Sequence, residues 1–243
     1  MPRLCLCVNQ VARLRKYNKS REPDPVDVAI AAEVAGIDGI VAQLREDRSD
    51  ITDRDVHILK EVVKTHFNLA VPLKEELVKK TIKVLPDMVT LMPPVSDDAA
   101  AGSSLDVVSN YEYVEDSAAA LRANNVVVSV FIDPDSQQIR AAAKAEVDYV
   151  QLNTTPIAGF EDLNSMSDYI ERLRATAIAA NKLGLGISMG GGLNYQNLRE
   201  FGDLSFVEEI NVGRAILSRA VLVGIGQAIG QMKALVRNGG NGM

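Results

Sequence analysis

The stretch GIVAQLREDRSDITDRDVHIL, residues 39–59, contains one complete strand-to-helix unit. Its opening GIVAQL is an apolar run of the length a buried strand needs. The polar segment behind it reaches Thr52 and Asp55, a weaker analogue of the capping box that starts a helix. The same alternation recurs along the chain. Apolar runs at 4–9 (LCLCVN), 39–44, 67–73 (FNLAVPL), 88–93 (MVTLMP), 126–132 (VVVSVFI), 149–154 (YVQLNT), 185–190 (LGISMG) and 206–213 (FVEEINVG) are strand candidates, and helical patterns fill nearly every gap between them. Asp24 before Pro25 reads as an N-cap and first helical position, and Asp133 before Pro134 reads the same way. The last helix runs through RAILSRAVLVGIGQAIGQMKALV. Strand one is followed by NQVARLRKYNKSREPDP, an overlong loop expected to form part of a lid or pocket wall.

Eight strand-helix units predict a closed α/β barrel, the (β/α)8 or TIM barrel, in one domain over residues 1–243 with a flexible tail at 237–243. An open doubly wound sheet is the alternative, but no glycine-rich dinucleotide turn supports it. The chain has 243 residues, enough for one large core, and its 47% hydrophobic and 24% charged residues are ordinary for a soluble protein. A formal charge of −6 gives no general electrostatic footprint for nucleic acid or an anionic membrane. No apolar run is long enough to cross a bilayer, and the start MPRLCLC is too short for a secretory signal, so a cytoplasmic location is expected. Cys5 and Cys7 share a strand face and cannot form an ordinary disulfide, and without a nearby histidine they make a poor zinc set.

Barrel binding groups emerge at the C-terminal ends of strands. Two glycine signals fall there, MGGGLN (189–194) after strand seven and NVGRAI (211–216) after strand eight at a helix start. Such backbone can approach a phosphoryl group closely, which makes Gly191, Gly192 and Gly213 candidate ligand contacts and Arg214 a candidate assistant. Strand alternation adds Asn9, Gln43, Gln151 and Asn153, side chains that donate and accept hydrogen bonds but supply no ordinary acid or base. Arg45 is the candidate cation for a phosphate or carboxylate. The histidines do not supply the missing base. His57 falls within a helix and His66 lies at the opposite barrel end, both in surface or capping roles, which leaves Asp133, a loop acid or base, or ligand chemistry for any catalysis.

Several motifs together resemble the pyridoxine 5′-phosphate synthase family: PDPVDVAIAAEVAGIDGI, LREDRSDITDRDVHIL, FIDPDSQQIRAAA, LGLGISMGGGLNY and INVGRAI, in order and covering almost the whole chain. The resemblance implies a (β/α)8 barrel with additional helical elements, assembled as a homo-oligomer, typically an octamer. It also implies an activity in vitamin B6 biosynthesis, the condensation of 3-amino-2-oxopropyl phosphate with 1-deoxy-D-xylulose 5-phosphate. No nicotinamide, flavin or metal follows from it.

Transferred residue by residue, the resemblance implies retained ligand contacts at Asn9, Arg45, Gly192 and Gly213. It also implies that the acid-base set is lost. Gln43 stands at a catalytic histidine, Ala70 at a catalytic glutamate, Gln151 and Asn153 at a glutamate and a histidine, and Gly191 at a histidine between glycines. Asp50 and Arg214 stand at further histidines, Gln10 near another, and Asn18 at an arginine. The expectation is a barrel that binds a phosphorylated or otherwise anionic metabolite with altered or absent catalysis. Unchanged synthase activity through displaced groups and a noncatalytic oligomeric scaffold are the alternatives.

Overall fold

Eight parallel strands close on one another in sequence order, β1 beside both β2 and β8, in a computed structural model that describes residues 1–94, 102–160 and 162–237. The strands are β1 (Arg3–Cys7), β2 (Gly39–Gln43), β3 (Phe67–Pro72), β4 (Met88–Met92), β5 (Val127–Ile132), β6 (Tyr149–Asn153), β7 (Gly186–Gly190) and β8 (Glu209–Val212). Around them run α1 (Asn9–Tyr17), α2 (Pro25–Val34), α3 (Asp53–Val62), α4 (Glu75–Val84), α5 (Tyr111–Arg122), α6 (Ser136–Lys144), α7 (Leu163–Lys182), α8 (Arg214–Val223) and α9 (Ile225–Arg237). This is the expected (β/α)8 barrel with additional helices. Residues 238–243 of the expected tail lie outside the described residues, and Arg237 closes α9.

The two faces of the sheet are chemically different. Outward residues such as Leu4, Leu6, Ile40, Leu69, Val89, Val130, Leu152 and Ile210 are buried with the helix residues Ala29, Leu59, Leu77, Ala118, Leu173 and Ile216 in one aliphatic layer. Each fully buried Leu, Ile or Val in such a layer contributes roughly 1.5–3 kcal/mol, so this layer is the main source of stability. The inward positions are largely polar or small. In-register neighbours share a face, and the rows Ala70–Thr90–Ser129 and Gln151–Ser188–Glu209–Arg3 therefore all point to the barrel axis. Thr90 Oγ1 donates to Asn68 Oδ1 at 3.0 Å, and Asn68 Nδ2 donates across the barrel to Glu209 Oε1 at 3.4 Å.

Glu209 is fully buried. Its Oε2 lies 3.3 Å from both Arg3 Nη2 and His66 Nε2. Burial alone would raise its pKa, but His66, Arg3 and Asn211 outweigh that and hold the carboxyl below its ordinary value. His66 lies at the barrel end opposite the strand C-termini, as expected, but it faces the core carboxylate rather than a surface role.

Three further differences from the sequence reading have local causes. The segment after β1 is helical from Asn9. Val8 gives no side-chain cap, and α1 is instead held by Arg13 and Arg15, whose guanidinium groups reach Asp50 at 2.7 Å and Asp55 at 2.6 Å. The expected final helix breaks at Gly224, whose φ of 81° and ψ of 156° only glycine adopts readily. After the break α9 packs on α2 and α8. Asp135, not Asp133, caps α6, accepting from the amides of Gln137 and Gln138.

The caps expected at Asp24 and Thr52 are present, and Thr52 with Asp55 makes the full reciprocal box. Asp55 also pairs bidentately with Arg15, at 2.6 and 2.9 Å, while Arg54 bridges Asp55 and Asp24. Burial would raise the Asp55 pKa, but Arg15 and Thr52 together lower it from 3.8 to about 2. A depressed carboxyl stabilises the fold above its unfolded pKa and loses that contribution as pH falls through the folded one. We therefore expect Asp55 to contribute up to about 2 kcal/mol near neutrality, since Arg54 leaves the cluster partly open to solvent. That contribution should disappear between roughly pH 4 and pH 2. In Asp55→Asn the acid side of a thermal-denaturation pH series should be flatter over that interval, and an unchanged slope would remove Asp55 from this role.

Candidate functional site

The C-terminal mouth of the barrel gathers the candidate residues, and the register explains how. Gln43 is the last residue of β2 and pairs with Ala70 on β3. Across the barrel, Gln151 and Asn153 of β6 pair with Ser188 and Gly190 of β7, and Gly190 pairs with Asn211 of β8. The mouth is thus walled by amides, a hydroxyl and glycines. Cys7 adds a thiol on β1, but burial pushes its pKa up, as it does more strongly for Cys5, so neither is set up as a thiolate nucleophile.

Each candidate has a definite local role. Asn9 is buried, and its carboxamide is used twice on β2: Nδ2 donates to the Gln43 carbonyl at 2.8 Å and Oδ1 accepts from the Gln43 amide at 2.7 Å. This fixes the end of β2 and leaves the Gln43 side chain half-buried at the rim. Arg45 lies beyond the strand end, so it does not continue the face of Val41 and Gln43. Its side chain is 28% exposed and meets Asp47 at 3.5 Å, and its buried Nε makes no hydrogen bond among the described residues. Asp47 is held below the ordinary carboxylate range, first by the Ser49 amide and less by Arg45. A guanidinium with a long, half-open contact keeps donors for an anion. Beside it, Glu46 is clipped to Lys74 of the next loop while its other oxygen is buried without a partner among the described residues.

On the far side, Asn153 is fully committed. Its Nδ2 donates to Asp133 Oδ1 and the Gly102 carbonyl, both at 2.9 Å, and its Oδ1 accepts from the Thr155 amide. Asp133 itself is exposed at the end of β5, where its Oδ1 accepts from Asn153. Gln151 accepts from Asn211 at 3.1 Å through Oε1 and, among the described residues, has no partner at Nε2. Gly191 and Gly192 adopt φ of 103° and 66°, left-handed conformations that favour glycine. Gly213 precedes α8, whose N-terminus receives no side-chain cap, and Arg214 is exposed at that start. Asn211 was not singled out from the sequence, although it has the strand parity of Gly213 and Glu209.

Among the described residues no group of three or more His, Cys, Asp or Glu is placed to hold a metal. Nor is any described helix long and apolar enough to cross a membrane. A surface cleft of about 830 Å3 between the β7–β8 connection, α8 and α9 is lined by Tyr195, Ser218, Leu222 and Leu235, and it borders none of these mouth side chains.

With the geometry in place, similarity narrows the reading. Residues 4–238 match the family described as pyridoxal phosphate biosynthesis protein PdxJ. The chain belongs to this family. It is 38% identical to the pyridoxine 5′-phosphate synthase of Pelobacter propionicus and 40% identical to that of Geotalea uraniireducens, in both cases over 98% of this chain and 99% of the relative. Among solved structures it resembles 3-keto-L-gulonate-6-phosphate decarboxylase from Vibrio cholerae, with a TM-score of 0.67, 14% identity and 98% of each chain covered. It also resembles phosphoribosyl anthranilate isomerase from Thermus thermophilus, with a TM-score of 0.60, 13% identity, and 96% and 99% covered. At those identities the two structures share the fold alone.

The glycine turn after β7 carries its own test. A Cβ on Gly191 would stand 2.4 Å from Thr155 Oγ1 and 3.1 Å from the Thr155 amide, on a backbone already left-handed. We expect Gly191→His to destabilise the protein by roughly 1–3 kcal/mol. Adding Thr155→Ala should recover part of the loss in denaturant melts. A stable single variant would show that the two loops separate freely.

Proposed function

We propose that this PdxJ-family barrel binds a phosphorylated or otherwise anionic small metabolite at its mouth, and that the family's condensation chemistry is altered or absent in it. The observation that carries this reading is the neutral set of strand-end side chains among the described residues. Gln43 and Ala70 stand in register on β2 and β3, with Gln151 and Asn153 on β6 and Gly191 after β7. These are the positions where the family resemblance calls for histidines and glutamates. Ring closure between two phosphorylated ketones requires repeated proton transfer, and neither an amide nor a methyl group cycles a proton near neutral pH. The anion-binding parts are of a kind that survives without those groups: the Arg45 guanidinium, the left-handed turn at Gly191 and Gly192, and the uncapped start of α8 behind Gly213.

A second reading, retained pyridoxine 5′-phosphate synthase activity, is favoured by the near-complete coverage of relatives bearing that name. It would need displaced acids and bases, for which Asp133 at the end of β5 is a candidate among the described residues. The two readings separate directly. On incubation with 3-amino-2-oxopropyl phosphate and 1-deoxy-D-xylulose 5-phosphate, the folded protein should release neither pyridoxine 5′-phosphate nor inorganic phosphate. Formation of both would establish the synthase reading. Gln43→His alone should not confer turnover, because Ala70, Gln151 and Gly191 leave the other proton-transfer steps unserved.

Binding is tested separately. Arg45→Ala should weaken calorimetric binding of 1-deoxy-D-xylulose 5-phosphate by roughly 1.5–3 kcal/mol, the value of a charge-assisted contact to phosphate. Equal affinity in a folded variant would remove Arg45 from the site.

A further inference from the structure

The interior of the barrel is joined from floor to mouth by polar side chains that no role assigned above explains. Glu209 sits at the floor, fully buried, with Arg3, His66 and Asn68 around it. Asn211 is two residues further along the same inward face and is 7% exposed. Its Nδ2 donates to Gln151 Oε1 at 3.1 Å, while its own Oδ1 is buried with no partner among the described residues. Gln151 reaches β8 from β6 by lying across β7. That crossing is possible because residue 190 is glycine: a Cβ there would stand 2.6 Å from Gln151 Nε2 and 3.2 Å from the Asn211 Cβ.

A pair of carboxamides can bond in two ways, with either one as donor. Something outside the pair must choose. The buried carboxylate below supplies the choice, because turning Asn211 over would bring its Oδ1 toward the Glu209 charge in a low-dielectric interior. Asn211 is one of the groups that hold the Glu209 carboxyl below its ordinary value, and with its Nδ2 given to Gln151 the Gln151 oxygen is taken and its amino group has no partner among the described residues.

We infer that the Glu209 charge, acting through Asn211, holds the Gln151 carboxamide with its NH2 toward the mouth, so that the site selects a ligand presenting a carbonyl or carboxylate oxygen at that point. Glu209 and Asn211 are positioning residues in this arrangement, and Gln151 is the contact. The inference rests on the reading of the mouth as an anion-binding site and adds the chemistry of the ligand's second group. A carbonyl only accepts a hydrogen bond, whereas a hydroxyl both accepts and donates. The floor charge therefore makes the pocket tolerant of a ketone, where an outward Gln151 oxygen would exclude one.

The test moves the charge. In the double variant Glu209→Gln with Asn211→Asp the number of carboxylates is kept, but the charge stands beside Gln151, which must then give its NH2 to Asp and turn its oxygen outward. Neutron diffraction from perdeuterated, ligand-free crystals distinguishes the two ends. Nitrogen should face the mouth in the wild type and oxygen in the double variant; oxygen facing the mouth in the wild type overturns the inference. Calorimetry with dihydroxyacetone phosphate and sn-glycerol 3-phosphate reads the consequence, since the probes share the phosphate and differ at the central carbon. The ratio of their affinities should shift at least about tenfold toward the hydroxyl compound in the double variant, because a carbonyl left facing an acceptor loses a hydrogen bond. Equal weakening of both probes overturns the inference.

If the double variant does not fold, Gly190→Ala replaces it. Its new Cβ meets chiefly the movable end of Gln151, and displacing that end should bring the two affinities closer together than in the wild type; an unchanged ratio overturns the inference. Failure of both probes to bind the wild type defeats the anion-site reading instead, and the neutron result then decides the orientation independently.

Discussion

A closed barrel gives every strand one side that faces the axis, and once the register is set no side chain on that side can escape the others. Everything distinctive about this protein follows from that constraint. The outward positions are free to be aliphatic and supply the stability. The inward ones must satisfy each other, and here they do so with amides, hydroxyls and one buried carboxylate. A polar interior is costly unless it is paired, so Arg3, His66 and Asn68 are drawn to Glu209 from β1, the start of β3 and β3 itself.

The same constraint separates ancestry from chemistry. Family membership rests on features spread over the whole chain, including the helix caps, the motif behind β2 and the glycine turns after β7 and β8. Those features build the barrel and its rim. The chemistry of a PdxJ-type reaction would rest on a handful of inward side chains at strand ends, and a chain can keep the first set while changing the second. The mouth therefore has to be judged by what points into it.

The fold was legible because its signals are local. The apolar runs, Asp24 before Pro25, and Thr52 with Asp55 each declare an element within a few residues, and the strands lie within three residues of where the runs place them. What escaped was non-local. Helix α1 depends on Asp50 and Asp55, far along the chain, and its own start has no capping side chain. His66 and Glu209 meet only after the barrel closes. Arg45 would share the face of Val41 and Gln43 only if β2 continued, and β2 stops at Gln43.

The cluster of Arg15, Asp24, Arg54 and Asp55 extends beyond its acid sensitivity. It ties α1, α2 and the start of α3 together, the helices that precede and follow β2, while Asn9 clamps β1's exit to the end of that same strand. One quarter of the mouth is thereby built as a single cooperative block. Whatever enters the barrel meets, on that side, a wall whose helices and strands are braced against one another.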